Sequence, residues 1–175
     1  MHWTRYGITL RLLSYSDIEQ VRHWRNQDFV RLNMEFQGLI SLEEQEKWFS
    51  GLDGRHNHYF IFSYKNVDAG MVNLKNLDLS ASTAEAGIFV GDKEYLNTYV
   101  PFIATIVLME FAFDELKLTS LLAKIKIQNK NAIGFNERLG YHFKERLNEE
   151  YAYYECVREN FKHTTHSFIR SLQKF

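Results

Sequence analysis

The sequence predicts a mixed α/β sheet with helices on both faces. Short alternating or β-branched apolar runs read as strands, and between them apolar residues recur at helical spacing. Their order is strand, two helices, three strands, helix, strand, helix, strands, which is the pattern of helices covering a sheet. At 175 residues, 45% of them hydrophobic, the chain reads as one domain spanning 1–175. That length buries roughly 70% of the unfolded surface.

Ile8 to Leu13 alternates apolar and polar side chains until its last residue, as a half-buried strand does. Ser16 or Asp17 caps a helix in which Ile18, Val21 and Trp24 share a face, ending near Asn26. Residues 27–40 read as irregular, with Phe29, Met34 and Phe36 among them. Ser41-Leu42-Glu43-Glu44 is a capping box, so a second helix runs to about Phe49. Gly51, Asp53, Gly54 and Asn57 make a loop before a strand at Tyr59 to Tyr64. Lys65-Asn66 begins a hairpin-like turn, and strands follow at Gly70 to Leu77 and Ala84 to Val90. A long apolar helix runs from Thr98 to Phe113, and Ser120 to Ile127 alternates as a strand. Asn129-Lys130-Asn131 caps a helix with Ala132, Phe135 and Leu139 on one face, which Gly140 stops. Residues 141–143 and 151–157 read as final strands, and 161–175 as a polar helix or tail.

Composition excludes several classes. A formal net charge of −1 gives no global field for nucleic acid or an anionic membrane. One cysteine rules out an internal disulfide framework and fits a reducing cytoplasm. The first residues lack an apolar signal region, and the run Tyr99 to Phe113 is too short to span a bilayer. His56-x-His58 and His163-x-x-His166 lack companion ligands at metal spacing, so no metal site is expected.

Residues 83–115 hold most of the chemical information. A strand feeding a loop and then a buried helix sets helix amides beside a strand end, where an anion fits. Glu85 is a polar side chain in this otherwise apolar strand, readable as a general base in a cleft or as a solvent-facing residue. Trp24-Arg25-Asn26 is either an aromatic anchor with a solvated arginine or an arginine that grips phosphate or carboxylate. The asparagines before Ala132 are caps, or ligand contacts at a helix N-terminus.

Several segments resemble the GNAT superfamily of acyl-CoA-dependent N-acetyltransferases. They are residues 6–12, Trp24-Arg25-Asn26, 40–49, 84–95, 111–116 and 129–141, so the resemblance covers roughly residues 6–146. The first three are most similar to enzymes acetylating the amino group of nucleotide-linked amino sugars, as in pseudaminic acid synthesis. Ribosomal-protein acetyltransferases are also similar.

The resemblance implies a largely antiparallel sheet with a V-shaped split between its fourth and fifth strands, and acetyl-CoA as donor co-substrate. It implies direct attack by a primary amine, most simply that of a nucleotide-linked amino sugar, with Glu85 as base. The backbone at Phe89 and Val90, the loop Leu96, Asn97, Thr98, Tyr99 and Val100, and Asn129, Phe135 and Arg138 would hold the donor. Trp24, Arg25, Asn26, Met34 and Phe36 would hold the acceptor. Asn136 stands where many relatives carry the tyrosine that protonates the leaving thiolate, so Tyr141, Tyr153 or water would substitute. The family's loop glycines fall on Asn97, Tyr99 and Pro101, and proline has no amide to give. Each lost charge-assisted contact would cost about 1.5–3 kcal/mol of donor affinity. The partner expected is therefore a small-molecule amine, with neither nucleic acid nor membrane, on a cytoplasmic monomer or homodimer. The alternatives are a catalytically silent GNAT-fold binding module, or an acyltransferase fed by an acyl carrier protein.

Overall fold

The computed structural model describes residues 2–173. Its strands are β1 (His2–Arg5), β2 (Ile8–Leu12), β3 (His58–Tyr64), β4 (Val67–Asp78), β5 (Thr83–Val90), β6 (Ser120–Lys126), β7 (His142–Arg146) and β8 (Tyr151–Val157). Its helices are α1 (Ile18–Asn26), α2 (Asp28–Arg31), α3 (Leu42–Ser50), α4 (Val100–Glu110), α5 (Lys130–Glu137) and α6 (Arg158–Leu172). The sheet order is β1-β2-β3-β4-β5-β6-β8-β7. β1–β2, β2–β3, β6–β8 and β7–β8 pair antiparallel, while β5 and β6 are parallel. This is the mixed, largely antiparallel sheet expected.

The residues group into two compact units. The first runs to Asn73 and adds Ile88–Val107; the second comprises Leu74–Gly87 and everything from Leu108.

In the first unit, Leu13, Val21, Trp24, Val30, Ile61, Met71 and Phe89 form a buried cluster. Phe29, Met34, Trp48, Phe49, Leu52 and Tyr59 pack against it. The capping box of α3 forms as read: Ser41 Oγ accepts from the Glu44 amide and Glu44 returns a bond to the Ser41 amide. Such a cap is worth about 1 kcal/mol. Before α1, Asp17 takes bonds from the Ser14 amide and hydroxyl and from Arg11, which also reaches Asp68. β1 is an addition to the reading. Tyr6 and Gly7 both adopt left-handed φ, 54° and 76°, so a two-residue turn folds His2–Arg5 back on β2. The turn at Lys65-Asn66 forms as read, with φ of 50° and 63°, and lets β4 begin at Val67 rather than Gly70. α2 makes a short helix inside the stretch read as irregular. α4 begins at Val100, and Pro101 fits because the first turn leaves its amides unbonded.

In the second unit the apolar helix continues past Glu110 as a π-helical turn over Phe111–Glu115. Phe113 meets Phe161 of α6 at 5.5 Å between ring centroids. Gly140, at φ 94°, ends the segment after α5 as expected. α6 starts at Arg158, three residues before the predicted start, directly from the end of β8. The last two residues of the predicted tail lie outside the described residues. No helix among the described residues is long and apolar enough to cross a membrane.

Candidate active site

Each unit gathers one cluster of candidate residues. In the second unit the centre is Glu85, on β5, whose side chain is 12% exposed. Lys75 Nζ lies 3.3 Å from Glu85 Oε1, and Asn76 Nδ2 donates to Oε2 at 3.5 Å. Adjacent strand residues ordinarily point to opposite faces. Asn76 escapes that rule because it takes a left-handed φ of 51° inside β4, a local irregularity of the kind a bulge creates. Both neighbours therefore reach one carboxylate. The Tyr153 hydroxyl, from β8, also faces Glu85. Burial, then the Glu85 charge, pushes the Tyr153 phenol up, with Lys124 opposing.

On α5 the asparagines and Arg138 bond to the helix's own backbone. Asn129 Oδ1 accepts from the Ala132 amide at 3.0 Å, and Asn136 Nδ2 donates to Ala132 O at 2.8 Å. Arg138 Nε donates to Gly134 O at 3.2 Å, and Phe135 is half-buried on the same helix. These side chains cap and brace α5. Tyr141 is 1% exposed, and burial, with Cys156 beside it, holds its phenol well above the ordinary range. It is a core side chain and lacks the access that a proton donor to a bound substrate needs. Cys156 is likewise buried, with its thiol pushed up to about 12, so it is no nucleophile.

In the first unit the centre is Arg25. Its guanidinium lies 6.0 Å from the Phe89 ring centroid, and Trp24 meets the same ring edge-on at 6.4 Å. Arg25 Nε is buried and makes no hydrogen bond among the described residues, and burial lowers its pKa. Asn26 does structural work instead: its amide donates to Ile40 O at 2.9 Å and accepts from the Ile40 amide at 2.8 Å. Met34 packs against the core cluster, whereas Phe36 is 56% exposed beside Gly38.

The donor end of this unit divides in two. The Gly91 amide donates to Ala69 O at 2.8 Å. Strand backbone groups alternate in direction, so Phe89 also turns its amide and carbonyl toward β4, and its oxygen sits beside Gly70. Ile88 and Val90 point the other way. Of the two positions read as backbone donors to acetyl-CoA, Phe89 turns its backbone to β4, whereas that of Val90 points away from β4.

The loop before α4 does not fit a pyrophosphate cradle. The amides of Leu96, Thr98 and Val100 bond to Lys93 O, Tyr95 O and Thr98 Oγ1, and Pro101 has none. Asn97 and the 73% exposed Tyr99 carry side chains where the family resemblance calls for glycine.

The family model of the GNAT acetyltransferase domain matches residues 8–142. The chain belongs to the GNAT acetyltransferase family. GNAT acetyltransferases use acetyl-CoA, so this N-acetyltransferase takes its acyl group from that donor. Among solved structures it is similar to apo FdhC, a nucleotide-linked sugar GNAT, with a TM-score of 0.83 and 18% identity over 98% of each chain. It is also similar to a Vibrio cholerae spermidine N-acetyltransferase in complex with CoA and spermine, with a TM-score of 0.79 and 17% identity. That match covers 90% of this chain and 99% of the other. A Bacillus halodurans protein aligns over 98% of this chain and 97% of its own, with a TM-score of 0.81 and 14% identity. No curated protein matches the sequence.

Lys75 and Asn76 are the additions to the Glu85 cluster, and Tyr153, named by the resemblance as a substitute proton donor, lies in it. Sequence offered only one signal for the two additions, a polar Lys-Asn pair within an apolar strand.

Proposed function

We propose that this N-acetyltransferase acetylates the primary amine of a nucleotide-linked amino sugar. The observation that carries the reading is Arg25, a half-buried guanidinium stacked on Phe89 with an unbonded Nε. Burying a cation without a hydrogen-bonded anion is costly, so such a group favours a ligand bearing phosphate or carboxylate. A polyamine brings only positive charge and gains nothing there. The likeness to a nucleotide-linked sugar GNAT agrees with this reading.

Acetyl-CoA supplies an activated thioester, held at its acyl end by the outward backbone of Ile88 and Val90. Glu85 takes a proton from the acceptor ammonium, freeing the nitrogen lone pair for attack. Lys75 and Asn76 fix the carboxylate, so its lone pairs stay aimed in one direction.

Thiol release from acetyl-CoA tests the reading, with nucleoside-diphosphate amino sugars in one arm and spermidine in the other. Turnover with a sugar nucleotide, lost in Glu85→Gln, is expected. Turnover with spermidine alone overturns the acceptor assignment. The second reading, a polyamine acceptor, has the similarity to the spermidine enzyme in its favour.

A further inference from the structure

The second unit carries a cavity of about 300 Å³ between α6 and the segment from Glu110 to Asp114. No residue of the Glu85 cluster is in its wall. α6 supplies the cations. Arg158, Lys162, His166 and Arg170 recur at every fourth residue, so they form one stripe along the helix, and all four line the cavity.

That stripe is unfavourable for the helix by itself. Like charges four apart repel, and the one acidic residue of α6, Glu159, lies outside the stripe. The C-terminal end of the helix dipole offsets only Arg170, in the last turn. Arg158 is paired with Asp114. Lys162, His166 and Arg170 make no hydrogen bond or ion pair among the described residues. Glu110 also lines the cavity and is buried. Even with both carboxylates ionised and His166 neutral, Arg158, Lys162 and Arg170 outnumber them.

The rest of the wall is apolar. Phe113 and Phe161 are buried with ring centroids 5.5 Å apart, and Ile169 is half-buried two turns beyond Phe161. Thr165, between the two on the helix, is buried and donates its hydroxyl to Phe161 O at 2.6 Å.

We propose that this cavity binds a small organic phosphate, its anionic head on Lys162, His166 and Arg170 and its apolar body against Phe113, Phe161 and Ile169. A rise of about 1.5 Å per residue sets Lys162 and Arg170 about 6 Å to either side of His166 along the axis, so both long side chains reach its level. Three separate donors suit a dianion with three free oxygens better than a carboxylate, which has one charge and two oxygens. The volume stands at the lower limit for small-molecule sites, which fits a phosphate with one ring and not a polymer.

Phenyl phosphate is the probe, titrated calorimetrically into the full chain, with benzoate and inorganic phosphate as comparisons. It should fill one saturable site at millimolar or lower concentration, about tenfold more tightly than either comparison. Lys162→Gln and Arg170→Gln change exposed side chains that the fold does not use, and each should weaken binding about tenfold. Arg25→Met, in the first unit, should leave it unchanged. The Ile169 δ-methyl NMR signal should shift as the site fills. The proposal is overturned by no saturable binding, by binding that either α6 variant leaves intact, by loss of binding in Arg25→Met, or by an Ile169 signal that stays in place. Benzoate binding as tightly overturns the phosphate head, and inorganic phosphate binding as tightly overturns the apolar wall.

Discussion

Gly91 lies flush against the indole of Trp24. A Cβ added at residue 91 would fall 2.2 Å from Trp24 Cδ2, well inside van der Waals contact. Trp24 is buried in the first unit's cluster and cannot swing aside without opening it. Gly91→Ala therefore overpacks the core and costs about 1–3 kcal/mol, read as a lower urea midpoint with an unchanged slope. Since Arg25 adjoins Trp24, acceptor KM should rise in the same variant. A midpoint equal to wild type would show that the indole has room to shift.

Asp17 ties the end of β2 to the start of α1. Its desolvation is a cost, outweighed by bonds from Arg11 and from the Ser14 hydroxyl and amide, which together hold its pKa below 3.8. A carboxylate with a depressed folded pKa stabilises the fold above its unfolded value and loses that contribution as pH falls through the folded one. Asp17→Asn should cost about 1–3 kcal/mol at pH 7. The gap from wild type should close only below pH 3.8, where the wild-type carboxyl itself protonates. Chemical denaturation at pH 7 and pH 3 checks both halves.

His58 should make the fold sensitive to mild acid. Burial lowers its pKa from the ordinary 6.5, only partly opposed by a hydrogen bond at the Gly54 backbone. Below pH 6.5 the unfolded chain gains a proton that the folded imidazole refuses, so stability falls between 6.5 and the folded pKa. His58→Gln removes that dependence. Stability curves of the two proteins should diverge as pH drops from 7 to 5, and parallel curves would refute the assignment.

What the sequence made legible was local chemistry. Ser41 and Glu44 announce a helix start through bonds three residues apart, and Gly140 announces a stop. The β1 hairpin was missed because Tyr6 takes a left-handed conformation that a bulky side chain rarely adopts, although the glycine beside it was a signal. The Glu85 cluster was only half legible. Glu85 shows itself as a charge in an apolar strand, but Lys75 and Asn76 reach it together through a φ that no residue pattern specifies. Tyr153 arrives from 68 positions further along the chain through the β5–β6–β8 register, which is a property of the sheet. Phe89 shows the converse: its place on the strand was read correctly, yet the direction of its backbone depends on which residues of β4 it faces.

Arg25 gives the sharpest test of the acceptor class. Its orphaned Nε and its position over Phe89 suit a planar, two-pronged grip on an oxyanion, which lysine cannot reproduce. Arg25→Lys should keep the charge and lose the grip, raising the KM for a sugar nucleotide about tenfold or more with kcat nearly unchanged, since the lost interaction holds ground state and transition state alike. Arg25→Met keeps the apolar stem against Phe89 and should raise KM further. It should also tolerate denaturant as well as wild type does, because a buried cation without an anion is replaced by an apolar group of similar length. Equal KM values in all three proteins would remove Arg25 from the acceptor site, whereas a lower KM for spermidine in Arg25→Met would show that the guanidinium normally repels cations.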